Sequence, residues 1–199
     1  MQNRALPAAI VGLVAGLIIG FFGGTAYQSR QIPSTPPSAA APTGQTTALP
    51  ENHPSKETID QIVRLRDRTE KDPNDKEARV QLGNIFYDLA QYEQAIKWYA
   101  AALELDPKDV NVRTDMGTAY HFMGNHNRAL QEFGVSLSID PNHPQTLQNI
   151  GWVKYTQKDY KGALEAWNTL LRKHPDFQNA AQIRKQIEQV KAEMEGKKS

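Results

Sequence analysis

Cysteine is absent from the 199-residue chain. That excludes a disulfide scaffold, thiolate metal ligation, iron–sulfur clusters and a cysteine nucleophile. A charge excess is missing as well, since 23 Lys+Arg face 22 Asp+Glu. General electrostatic binding of nucleic acid needs a clustered basic surplus, so no nucleic-acid partner is expected. Charge is nearly lacking from residues 1–55, which hold only Arg4, Arg30 and Glu51. Setting those aside leaves 21 Lys+Arg and 21 Asp+Glu over residues 56–199. Catalytic signatures are missing too: there is no H-E-x-x-H, G-x-S-x-G, P-loop or Rossmann fingerprint. Gly134-Val135-Ser136-Leu137-Ser138 only half-resembles a nucleophile elbow. The five histidines are scattered, and the five-residue spacing of His121 and His126 suits one helical face poorly. No enzyme activity, metal or cofactor is expected.

What is present divides the chain. Ala5 to Tyr27 is uncharged and mostly apolar over 23 residues. As a helix it would span roughly 34 Å, enough for a hydrocarbon core of about 30 Å. Residues 1–27 are therefore expected to be a single-pass transmembrane anchor. A cleaved signal peptide with Gly24-Thr25-Ala26 as its small-residue site is the alternative. Gly12, Gly16, Gly20 and Gly24 recur every fourth residue. On a helix they form a smooth stripe that lets a second transmembrane helix, a partner's or its own copy's, approach closely. Residues 28–55 are rich in Pro, Ser, Thr and Ala and cannot bury a core, so they are expected to be a disordered linker.

Residues 56–199 repeat themselves at an interval of 34. Pro73, Pro107, Pro141 and Pro175 keep it, as do Gly83, Gly117 and Gly151, and Ala95, Ala129 and Ala163. Three rows with one spacing require a stack of similar units. Within the first unit, Val80, Leu82, Ile85, Phe86 and Leu89 share one helical face. Ala95, Ile96, Tyr99, Leu103 and Leu105 form a second apolar run, with Ala90-Gln91-Tyr92-Glu93 as the turn between. Asp75 and Asp109 are suited to cap the first helices of their units, and Pro144 to open the third. Glycines inside helices cost about 1 kcal/mol each against alanine. Their recurrence predicts a neighbouring helix closer than a Cβ permits, with the alanines of the second helix as the matching small surface.

Leu82-Gly83, Phe86, Ala95, Tyr99 and Pro107 resemble the tetratricopeptide repeat pattern. So do Met116-Gly117, Tyr120, Ala129, Phe133 and Pro141, and then Ile150-Gly151, Ala163, Trp167 and Pro175. The third unit departs in placing Lys154 where the aromatic belongs, and the pattern's early tryptophan is replaced by Arg79, Arg113 and Leu147. The resemblance implies an all-α, right-handed superhelical solenoid of three units over residues 73–177, namely 76–109, 110–143 and 144–177. Residues 56–72, with Ile59, Ile62, Val63 and Leu65, are expected to form a half-repeat cap helix. Residues 178–199 are expected to supply a terminal capping helix and tail, with Ile183, Ile187, Val190 and Met194 on the covering face.

The resemblance also implies that first helices line a concave groove. It assigns to that groove Glu77, Val80, Asn84, Tyr87 and Asp88. From the second unit come Asn111, Thr114, Thr118, His121 and Phe122, and from the third Gln145, Gln148, Trp152, Tyr155 and Thr156. Amides, hydroxyls and aromatics dominate, suited to a peptide backbone and to apolar anchors. Some family members clamp an acidic chaperone tail with Lys, Arg and Asn. Here the matching positions hold Val80, Asn84, Asp115, Gln145 and Asn149, so a neutral or aromatic-bearing protein or peptide partner is expected instead. The function expected is a membrane-tethered interaction scaffold on the periplasmic side of a bacterial inner membrane. Its service would be envelope assembly, such as cytochrome c maturation, pilus or secretion assembly, or a translocon-associated task. The alternative is a structural subunit packed through the glycine-striped helix.

Overall fold

The computed structural model describes residues 54–196, which fall within one compact unit. The expected anchor with Gly12, Gly16, Gly20 and Gly24, and the linker as far as residue 53, lie outside the described residues. Among the described residues there are eight helices and no strand. They are α1 (Lys56–Lys71), α2 (Lys76–Asp88), α3 (Tyr92–Leu105), α4 (Val110–Phe122), α5 (His126–Ile139), α6 (Pro144–Thr156), α7 (Tyr160–Lys173) and α8 (Ala180–Gly196). No helix among the described residues is long and apolar enough to cross a membrane.

Local chemistry sets the starts. The Asp75 carboxylate accepts the Ala78 amide at 2.9 Å, Asp109 accepts Val112 at 3.1 Å, and Asp159 accepts Gly162 at 3.0 Å. Each satisfies one donor that a helix start leaves open. Pro144 opens α6 at a position where its missing N–H does no harm. The turns inside the three units share one geometry. Ala90, Gly124 and Lys158, each 34 apart, take φ of 55°, 79° and 62°. Just beyond them the Gln91, Asn125 and Asp159 amides return to the Phe86, Tyr120 and Lys154 carbonyls, the closure that ends a helix in a left-handed residue. The links between units are equally regular. Asp72, Asp106 and Asp140 accept the amide two residues on, at 2.9, 3.3 and 2.9 Å, and the intervening proline stops the helix.

Each helix packs on the next, and α4 also touches α6, so the first helices of the units form a row. The glycines explain the tight pairing, though not through the alanines. A Cβ on Gly117 would lie 2.6 Å from Cε1 of Phe133. Gly83 faces Tyr99 and Gly151 faces Trp167 in the same way, more closely still. The missing side chain thus makes room for the large buried ring of the second helix, sixteen residues on. Ala95, Ala129 and Ala163 are fully buried elsewhere in the core.

The two ends differ. At the carboxyl end Ile183, Ile187 and Val190 of α8 join Leu147, Trp167 and Leu170 in one cluster, with Met194 packed beside them. At the amino end only Leu65 of α1 is buried and Ile62 is partly packed. Ile59 and Val63 stand 47% and 60% exposed, so the expected apolar face of this helix is half used.

Candidate functional site

The row α2, α4 and α6 carries the residues assigned to the groove. Two of them are consumed by packing. Thr114 is buried, and its hydroxyl lies 2.9 Å from Ser136 Oγ and 2.7 Å from Thr146 Oγ1. Thr118 is also buried, donating to the Thr114 carbonyl and accepting from Asn149 Nδ2 at 2.9 Å. These hydroxyls tie α4 to α5 and α6. Asn111 is exposed, yet its Oδ1 meets His143 Nε2 at 3.0 Å across the unit boundary. Gln148 offers its carbonyl to Trp167 Nε1 at 3.2 Å, and Gln145 is exposed.

The aromatics fall into two patches. Between the first and second units, Tyr87 meets Tyr92 and Phe122 edge-on at 5.6 and 5.9 Å, and Tyr92 stacks on Phe122 at 5.3 Å. Phe122 and Met123 remain 38% and 43% exposed, so this wall keeps an open face. Beside it, Asn84 accepts the Tyr99 hydroxyl at 2.8 Å. His121 Nδ1 lies 3.0 Å from His126 Nδ1, since the turn brings the start of α5 back over the end of α4. In the third unit, Trp152 stands edge-on to Trp167 at 5.1 Å and to Tyr155 at 6.2 Å. The Tyr155 hydroxyl reaches Glu193 of α8 at 3.4 Å. Trp152 is thus partly a core residue, and Tyr155 belongs in part to the cap.

The electrostatics of the row are one-sided. Its cations are Lys76, Arg79, Arg113 and Lys154. Lys76 bridges Asp106 and Asp109 at 2.9 Å each, Arg113 pairs with the buried Glu132 at 2.8 Å, and Lys154 pairs with Asp159 at 3.0 Å. Arg79 keeps its Nη1 buried without a hydrogen-bond partner among the described residues. The acids of the row are Glu77, Asp88 and Asp115, and none makes an ion pair among the described residues. Burial, and then Asp109, push the Asp115 carboxyl up to about 7. Burial raises Asp88 as well. Burial, and then His126, hold His121 down to about 4, so that it is neutral near pH 7.

A family model, "Cytochrome c-type biogenesis protein H TPR domain", matches residues 45–181. The chain belongs to this family. Comparison with curated proteins finds no match. Solved tetratricopeptide structures share the fold. A crystal structure of MamA protein aligns with TM-score 0.59 at 18% identity, covering 68% of this chain and 74% of that one. The first TPR domain of human RPAP3 aligns with TM-score 0.56 at 18% identity, covering 62% and 98%. The Sgt2 TPR domain from Aspergillus fumigatus aligns with TM-score 0.52 at 20% identity, covering 74% and 85%.

Within this tetratricopeptide domain, Arg79, Arg113 and Leu147 occupy the position of the absent tryptophan. Only Arg113 finds a buried carboxylate, because the matching second-helix position holds Trp98, Glu132 and Ala166 in turn. Tyr92, Met123 and His126 escaped the sequence-based assignment because they lie in or beside the turns. A periodic helix pattern gives no signal there, although the αL position at 90, 124 and 158 marks where the chain reverses.

Proposed function

We propose that the chain is a membrane-tethered interaction scaffold for the assembly of c-type cytochromes, holding a peptide or helix of its partner along the first helices of the repeats. The family match over residues 45–181 carries this reading. The exposed Phe122 and Asn84 and the half-buried Tyr87 support it, because an aromatic anchor beside an amide is suited to hold a peptide. A related TPR domain, the first of Spaghetti (RPAP3), has been solved bound to the HSP90 peptide SRMEEVD, at 17% identity and TM-score 0.53. The fold is therefore able to hold a peptide. In this proposal residues 5–27 anchor the chain in a bacterial inner membrane and residues 28–53 tether the repeats on the periplasmic side.

The test places a photocrosslinking residue at Phe122 of the full-length chain and, separately, at Lys108. A c-type cytochrome polypeptide lacking haem is then added. Crosslinking from 122 and not from 108 is expected, and equal yields at the two positions refute the surface. A reporter fused after Ser199 reads the side of the membrane.

A further inference from the structure

We infer that the row of first helices selects a partner segment bearing a lysine or arginine, seated between the aromatic wall Tyr87–Tyr92–Phe122 and the carboxylates Asp88 and Asp115. This deepens the scaffold reading above and rests on it. The repeat register points to a neutral or aromatic-bearing peptide; the side-chain pairing in the structure adds a sign of charge.

Lys76, Arg113 and Lys154 are each committed to a carboxylate of the domain, at 2.8 to 3.0 Å. Arg79 is half-buried with one guanidinium nitrogen enclosed. Three of the four cations of the row are thus held by carboxylates of the domain, and the fourth, Arg79, acts on Asp75 at the start of α2 rather than at the aromatic wall. Among the described residues Asp88 and Asp115 make neither a hydrogen bond nor an ion pair; Asp88 follows Tyr87 at the end of α2, and Asp115 lies two turns before Phe122 on the same side of α4, where Tyr87 and Phe122 meet at 5.9 Å. His121, beside Phe122 on α4, is neutral near pH 7 and adds no competing positive charge.

Two unpaired carboxylates beside three aromatic rings form a surface complementary to a cation. Ring faces attract an ammonium or guanidinium, and carboxylates complete its hydrogen bonding. Asp115, whose carboxyl is pushed up to about 7 and is therefore only partly ionised near pH 7, would be drawn to its charged form by a ligand cation. The same features oppose an acidic segment, since a second carboxylate would add like charge where two already lack partners. The exposed edges of Phe122 and Met123 supply apolar contact for residues flanking the cation.

The test uses the full-length chain and three fluorescein-labelled helical peptides of alanine, leucine and tyrosine. They differ only at one central position, which is arginine, citrulline or glutamate. Citrulline keeps the shape of arginine and most of its hydrogen-bond donors without its charge. Fluorescence anisotropy is expected to show the arginine peptide binding about tenfold more tightly than the citrulline peptide, with the glutamate peptide weakest. The double variant Asp88→Asn/Asp115→Asn should bring the arginine peptide to the citrulline level and leave the citrulline peptide within about twofold of its wild-type affinity. In the wild-type chain, added salt should erode the arginine preference, a readout that needs no variant to fold. Equal affinities for all three peptides overturn the charge selectivity and leave the peptide surface standing. Tightest binding by the glutamate peptide overturns the selectivity in sign. Absence of binding by every peptide overturns the surface and the selectivity together.

Discussion

Replacing Gly117 by alanine tests the packing rule on which the stack depends. In an open helix position this change stabilises by about 1 kcal/mol. At Gly117 the added methyl would meet Phe133 Cε1 at 2.6 Å and Cδ1 at 2.8 Å. Phe133 is fully buried and shares a cluster with Ala129 and Val153, so its ring has nowhere to swing. Overpacking of this kind costs about 1–3 kcal/mol, and a contact this short belongs at the upper end. Against the propensity gain, the net expectation is about 2 kcal/mol of destabilisation, or roughly 6 °C in the thermal midpoint of a domain this size. Gly134 on α5 supplies the control, because nothing lies within 4 Å of the place an added methyl would occupy. Gly134→Ala should therefore raise the midpoint by about 3 °C. Thermal unfolding followed by far-ultraviolet circular dichroism reads both variants, and urea titration gives the free energies. Adding Phe133→Leu to Gly117→Ala should recover part of the loss and give a coupling energy of about 1 kcal/mol. A Gly117→Ala protein as stable as Gly134→Ala refutes the assignment of glycine to ring accommodation.

Other outcomes follow from the same structure. Lys158→Gly and Ala90→Gly relieve left-handed backbone and should each stabilise by up to about 1 kcal/mol, whereas Gly124→Ala should cost about as much, all by urea titration. Glu132 is 4% exposed and serves both Arg113 and Arg128, so Glu132→Ala should cost about 3 kcal/mol. Asp67→Ala, which breaks only the exposed pair with Lys71, should cost less than about 0.5 kcal/mol. His121 is depressed to about 4 in the folded chain, so the unfolded chain binds its proton first. Stability should then fall as pH drops from about 6.5 to 4, and His121→Gln should flatten that part of a midpoint-against-pH curve. Asp115, raised to about 7, acts in the opposite sense, its contribution being lost as pH rises toward 7. Asp115→Asn should steepen the rise of stability with pH over the same window.

How legible was this molecule in its residues? Elements whose signal is local were readable. Asp75 and Asp109 cap helices because a carboxylate on so short a side chain can reach only nearby amides, and Pro144 opens α6 for a reason contained in its own ring. The recurrence of glycine, alanine and proline at 34 residues announced a stack, since a repeated sequence meets a repeated environment only in a repeated structure. The partner of the glycines was not readable. Gly83 and Tyr99 are both in the pattern, but which second-helix side chain fills the gap depends on the angle at which the helices cross. The capping face of α1 was overestimated for a related reason. Periodicity shows that Ile59 and Val63 lie on an apolar side, and cannot show that α2 covers only Leu65 and Ile62.

The groove marks the same boundary. The family resemblance assigned Asn84 of α2 and Thr114 of α4 to one groove, yet Thr114 disappears into a hydroxyl cluster spanning three helices while Asn84 stays open. His121 and His126 looked unfavourably spaced on a helix and meet at 3.0 Å because a turn lies between them. Chain composition reports a near-perfect balance of charge. Only the packed structure reveals that Lys76, Arg113 and Lys154 of the first helices are held by carboxylates of the domain, while Asp88 and Asp115 are left without a partner among the described residues. Net charge is a sum over residues, whereas an unpaired charge is a property of distances between them.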